Sequence, residues 1–119
     1  MASPMTSIVY KLVDRAAWRA AETTGSFTGS AVDLRDGFIH FSSATQVRET
    51  AARHFAGQAD LLLVAVDAAA LGAALRWEPS RGGALFPHLY GPLPLDAVRA
   101  VASIGLDAGG HHVFPEPLP

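Results

Sequence analysis

Leu61-Leu62-Leu63-Val64-Ala65-Val66 is an unbroken apolar run bounded by Asp60 and Asp67. A strand with one wet face alternates apolar and polar residues, so six apolar residues in a row predict a strand covered on both sides. The neighbouring segments must supply that cover. Upstream, Ser7 to Val13 is β-branched and apolar and predicts another strand, with Ile8, Tyr10 and Leu12 on one face and Val9, Lys11 and Val13 on the other. Asp14 offers an N-cap to an alanine-rich helix from Arg15 to Glu22 around Trp18. Thr23 to Asp36 is polar and contains glycine, which predicts a loop with a short strand near Phe27. Gly37 to Ser42 predicts a strand that runs into a helix over residues 44–56. Ser43 and Gln46 form the capping-box spacing there, and Val47, Ala51 and Phe55 make the apolar stripe.

Downstream, Ala68 to Gly72 predicts a helical turn, and Leu75 to Glu78 a short strand cut off by Pro79. Ser80 to Ala84 reads as a loop, and Leu85 to Pro94, with three prolines, as mostly irregular chain. A last strand spans Ala97 to Ile104. Strands and short helices alternate without βαβ spacing, which places the chain in the α+β class. The expected architecture is a single domain over residues 1–119, with a split or strongly bent mixed sheet and two or three short flanking helices. Residues 1–6 and 109–119 are expected to be flexible or extended tails.

The 119 residues are 50% hydrophobic and 17% charged, with net charge −2 and no cysteine. That composition excludes a disordered chain, a thiol nucleophile and a cysteine-based zinc site. The scattered arginines form no basic stripe for nucleic acid, and no apolar run is long enough to span a membrane. The start lacks a basic n-region and an apolar h-region, so a cytoplasmic protein is expected. The histidine spacing matches no ligand motif, and no metal is expected.

Four positions stand out chemically. His40 shares its strand face with Phe38 and Ser42, where an imidazole binds a ligand hydroxyl or serves as a general base. The same placement fits a half-buried histidine bonded to a neighbour. His88 lies in Phe86-Pro87-His88-Leu89-Tyr90-Gly91-Pro92, where stiff backbone holds either a reacting group or the polar rim of a core plug. Glu78 is a base or ribose-hydroxyl acceptor on one reading and a solvated strand-end charge on the other. Lys11 is the sole lysine, and an edge strand whose lysine reaches water accounts for it equally well.

Together, Ile8-Val9-Tyr10-Lys11, Trp18, Gly37-Phe38-Ile39-His40-Phe41-Ser42-Ser43, Gln46, Trp77-Glu78 and Phe86-Pro87-His88-Leu89-Tyr90-Gly91 resemble the small bacterial family known as domain of unknown function 952. The resemblance covers about residues 7 to 105. That family is similar in turn to the ADP-ribosyltransferase-like fold, a split sheet that grips NAD. The resemblance implies a nucleotide-like small-molecule ligand, with NAD or a related nucleotide as substrate. It implies His40, His88 and Glu78 as catalytic residues, and Lys11, Ser42, Ser43 and Tyr90 as ligand-binding ones. The family's first-strand histidine is replaced here by Lys11. An ammonium donates but cannot accept a hydrogen bond, so a catalytically inactive ligand-binding module of the same fold is the alternative.

Overall fold

Strand β1 (Ile8–Asp14) alternates its side chains between two cores, Val9 and Val13 entering one and Tyr10 and Leu12 the other. Asp14 ends the strand and caps α1 (Arg15–Thr24), its Oδ2 accepting from the Ala17 N–H at 3.1 Å. The chain continues through β2 (Ser26–Phe27), α2 (Ala31–Asp36), β3 (Ile39–His40) and α3 (Val47–His54). The apolar run forms β4 (Leu61–Asp67), followed by α4 (Ala68–Leu71) and β5 (Leu75–Pro79). Four strands complete the chain: β6 (Leu85–Leu89), β7 (Leu93–Pro94), β8 (Val98–Leu106) and β9 (His112–Val113). This computed structural model describes residues 7–119, so the expected N-terminal tail, residues 1–6, lies outside the described residues.

The main sheet has the order β1-β4-β8-β9, a smaller one the order β3-β6-β5, and β2 pairs with β7. Between β1 and the residues after β3, Tyr10 and Ser42 exchange two backbone hydrogen bonds of 2.8 Å, tying the main sheet to the smaller one. The result is a curled antiparallel α+β domain. A mixed sheet was the expectation, but every strand pairing among the described residues is antiparallel. Two-sided burial of β4 does not need a parallel neighbour. Leu62, Val64 and Val66 face the core that includes Trp18 and Phe27, while Leu61, Leu63 and Ala65 face the core built on α3. Phe114 and Leu118 in the C-terminal segment rest against this second core, and the Tyr10 hydroxyl donates to the Pro119 carbonyl at 2.7 Å. No helix of the described residues is long and apolar enough to cross a membrane.

Three local expectations are corrected. The loop expected over Thr23 to Asp36 contains α2 as well as β2. The one buried side chain of α2 is a carboxylate, Asp33, so the sequence carries no apolar stripe to announce a helix. The irregular chain expected over Leu85 to Pro94 contains β6, the central strand of the smaller sheet, despite Pro87. A residue's N and C=O point to the same side of its strand. The Pro87 carbonyl accepts from Phe41 N–H at 2.9 Å, so its missing donor falls beyond the end of the two-residue β3. Finally, the helix expected over 44–56 begins at Val47. The Gln46 side chain accepts from Ser43 N–H at 3.0 Å, which is half of a capping box, while the Ser43 hydroxyl pairs with that of Thr45.

Candidate functional site

Asp33 is the organising residue of the site. Its neighbour Ser30 starts α2 and completes a capping box, donating to Asp33 Oδ2 from its backbone N–H at 2.8 Å and from its hydroxyl at 3.0 Å. From β1, Lys11 Nζ reaches the two Asp33 oxygens at 3.1 and 2.9 Å. From β3, His40 approaches Oδ1 with its Nδ1 at 2.6 Å and its backbone N–H at 3.1 Å. Gly29 makes this approach possible: its φ is 118°, and a Cβ there would lie 2.8 Å from the Asp33 Cβ. Lys11 and Asp33 are 5% and 2% exposed. Burial alone would raise the Asp33 pKa, but the His40 hydrogen bond and the Lys11 charge outweigh it and hold the carboxyl well below its usual range. Burial also lowers the Lys11 ammonium, an effect the Asp33 charge opposes.

Asp36 stands three residues after Asp33, on the same side of α2. Its Oδ2 lies 3.0 Å from His40 Nε2, and its Oδ1 accepts from Arg35 Nε at 3.0 Å. Both His40 nitrogens therefore face carboxylate oxygens, an arrangement that the doubly protonated ring satisfies. The hydrogen bond from Arg35, and then the nearby Arg35 and His40 charges, hold the Asp36 carboxyl below its ordinary value.

A second cluster is built on the pairing of β6 with β3 and β5. Register sets His88 opposite His40 on one side and Arg76 on the other. The two imidazoles lie 5.5 Å apart between ring centres, and the Phe38 ring stacks on His88 at 4.1 Å. His88 Nδ1 lies 2.8 Å from Glu78 Oε1, which also accepts from the Tyr90 hydroxyl at 2.7 Å. These two bonds hold the Glu78 carboxyl below its usual value, and the bond to Glu78 pushes the Tyr90 phenol up. A carboxylate only accepts, so Nδ1 carries a proton, and in the neutral ring Nε2 is then the acceptor. His88 is 4% exposed. Two buried side-chain polar atoms among the described residues have no hydrogen-bond partner, and they are Trp18 Nε1 and His88 Nε2.

His88 belongs to the wall of a cavity of about 620 Å³, which Trp18 does not line. That volume lies within the range of small-molecule sites. Lys11, Ser42, His40 and Asp36 contribute polar groups to the wall, and Phe41 and Phe86 contribute apolar surface. The structure thus brings His40 and His88 to one cavity, with Glu78 directly behind His88 and Tyr90 behind Glu78. Lys11 also reaches the cavity wall. It lies on the edge strand of its sheet, but it is buried in an ion pair and does not extend into water. The Ser42 hydroxyl pairs with that of Thr50 at 2.9 Å, and Ser43 stands outside the cavity, in the turn before α3. Sequence reasoning missed Asp33 and Asp36. The spacing of Ser30 and Asp33, a capping box in its acidic form, was the available signal. Among the described residues no group of three His, Asp or Glu side chains is gathered as a metal ion requires.

The fold and this cavity define a small antiparallel α+β domain with histidine–carboxylate pairs gathered at a cavity. A family profile described as protein of unknown function (DUF952) matches residues 12–101, and the chain belongs to that family. An X-ray structure of protein CC0527 from Caulobacter crescentus is 54% identical, with a TM-score of 0.87 over 90% of this chain and 94% of that one. The solution NMR structure of CC0527 is 53% identical, with a TM-score of 0.83 over 93% and 96% of the two chains. No curated protein matches the chain.

Proposed function

We propose that the cavity is an acid–base site for the ribosyl end of NAD or a related nucleotide, as in an ADP-ribosyltransferase-like domain. The observation that carries this reading is His88, a residue of the cavity wall whose Nδ1 is bonded to Glu78 and whose Nε2 is buried without a partner. An orphaned buried acceptor costs about 1–3 kcal/mol, which a ligand hydroxyl removes by donating to it. The rest of the wall fits a sugar, with the Ser42 and Thr50 hydroxyls beside aromatic surface. NAD is the substrate here. His88 Nε2 takes the proton of an acceptor hydroxyl, whose oxygen bonds to the ribose C1′. The bond from C1′ to nicotinamide breaks, and its electron pair stays on the departing ring nitrogen. Glu78 then faces an imidazolium, as an orienting carboxylate does in other histidine-based sites.

The test is nicotinamide release from NAD by the wild-type protein and by His88→Gln. A positioned general base contributes about 10²–10⁴-fold, so the variant should lose that much rate while NAD still raises its melting temperature. Equal rates in the two proteins would remove His88 from the chemistry. One observation favours the second reading, a catalytically inactive ligand-binding module: Asp33 already engages both Lys11 and His40. Under that reading NAD or ADP-ribose raises the melting temperature and no nicotinamide appears.

A further inference from the structure

We infer that Asp36 fills the anion seat of the cavity with a carboxylate of the chain itself, so that this part of the cavity takes the uncharged, hydroxyl-bearing sugar of the ligand and gives its phosphate groups no cation to bind. This rests on the reading of the cavity as a ribosyl site and names the part of the ligand that it seats. Three basic side chains on the cavity wall have their partners in view. Lys11 Nζ lies against both oxygens of Asp33, at 2.9 and 3.1 Å. His40 is held at Nδ1 by Asp33 at 2.6 Å and at Nε2 by Asp36 at 3.0 Å. Arg35 Nε donates to the other Asp36 oxygen at 3.0 Å. A guanidinium beside an imidazole ring N–H is a pair of donors that can grip a phosphate. Here a carboxylate bridges them.

Asp36 holds that position through local geometry. It lies in the same helix as Asp33, one residue from Arg35 and four from His40, so bridging closes only short loops of chain. An incoming phosphate must either displace this short-range contact or accept a like charge beside it. His88 also lines the cavity, and its Nε2, an acceptor in the neutral ring, favours a ligand O–H over an anionic oxygen. His54 also lines the cavity. The wall therefore offers carboxylate oxygens and hydroxyls to a neutral sugar, while Arg35 and His40 are already bridged by Asp36.

Asp36→Ala should open the seat, and inorganic phosphate is the direct probe. Ring resonances of His40, followed by NMR at rising phosphate, should show no saturable shift in the wild type. In Asp36→Ala they should show a saturable, salt-weakened one, and adding Arg35→Ala should abolish it. Equal phosphate binding by wild type and Asp36→Ala would overturn the inference, as would its absence from a folded Asp36→Ala. A second arm compares adenosine with its 5′-monophosphate by calorimetry. The wild type should bind adenosine at least as tightly as the monophosphate, and Asp36→Ala should favour the monophosphate by about tenfold or more. A wild-type preference for the monophosphate overturns the inference and leaves the ribosyl reading standing. Binding of neither compound by either protein removes the ribosyl reading, while the phosphate arm still decides what Asp36 does.

Discussion

Asp33 contributes to the fold as well as to the candidate site. Removing it leaves the Lys11 ammonium buried without a counter-charge, and breaking such a pair costs about 3–5 kcal/mol. Asp33→Ala should lower the unfolding free energy by that amount in urea titrations. The sign of the pH effect follows from the depressed folded-state pKa of Asp33. A carboxyl of this kind stabilises the fold above its ordinary value, near about 3.9, and the contribution is lost as pH falls through the window below it. Asp36 and Glu78 are depressed too and titrate in the same acid range, so the comparison needed is with Asp33→Asn. The wild type should lose stability more steeply than Asp33→Asn below about pH 4. Parallel curves would mean that the Asp33 carboxylate is not what links this fold to acid.

At the level of elements, the entrance to α3 separates two substitutions that look alike in the sequence. The Ser43 hydroxyl meets Thr45 and no helix N–H, so Ser43→Ala should change stability by less than about 0.5 kcal/mol. Gln46 accepts from Ser43 N–H at 3.0 Å and donates to Leu85 O at 2.7 Å, joining α3 to β6. Gln46→Ala should cost about 0.5–1.5 kcal/mol for each bond lost. Denaturant melts of both variants decide, and the reverse order would restore the full capping box at Ser43. Most of the elements were legible in the sequence. Strands β1 and β4 follow from continuous apolar and β-branched runs, α1 from the Asp14 cap, and α4 from its alanines. Helix α2 and strand β6 were not legible. One is fixed by a buried charge and the other contains a proline, and neither presents an apolar period.

At the scale of the whole molecule, the main sheet carries a core on each face, and β1 and β4 belong to both. The two cores should therefore melt as one unit. Leu62→Ala, on the Trp18 side, and Leu63→Ala, on the α3 side, should each cost about 2–5 kcal/mol. In both variants far-UV circular dichroism and tryptophan fluorescence should trace one coincident transition. Separate midpoints in Leu63→Ala would show that the α3 side unfolds independently.

By itself, the sequence determined the α+β class, two-sided burial of β4, the two faces of β1 and the family. Each depends on local periodicity or on contiguous strings, which survive in one dimension. It also singled out His40 by its strand face shared with Ser42, His88 by the stiff backbone around it, and Glu78 as a carboxylate at a strand end. Only the tertiary structure decided what those residues meet. Lys11 and Asp33 are 22 residues apart, and His88 and Glu78 are 10 apart, yet each pair is in hydrogen-bonding contact. Strand register and the approach of α2 to β1 create those contacts, and no local pattern encodes them. Tertiary packing also turned an edge-strand lysine inward, because a carboxylate from α2 compensates the buried charge where water would otherwise be required.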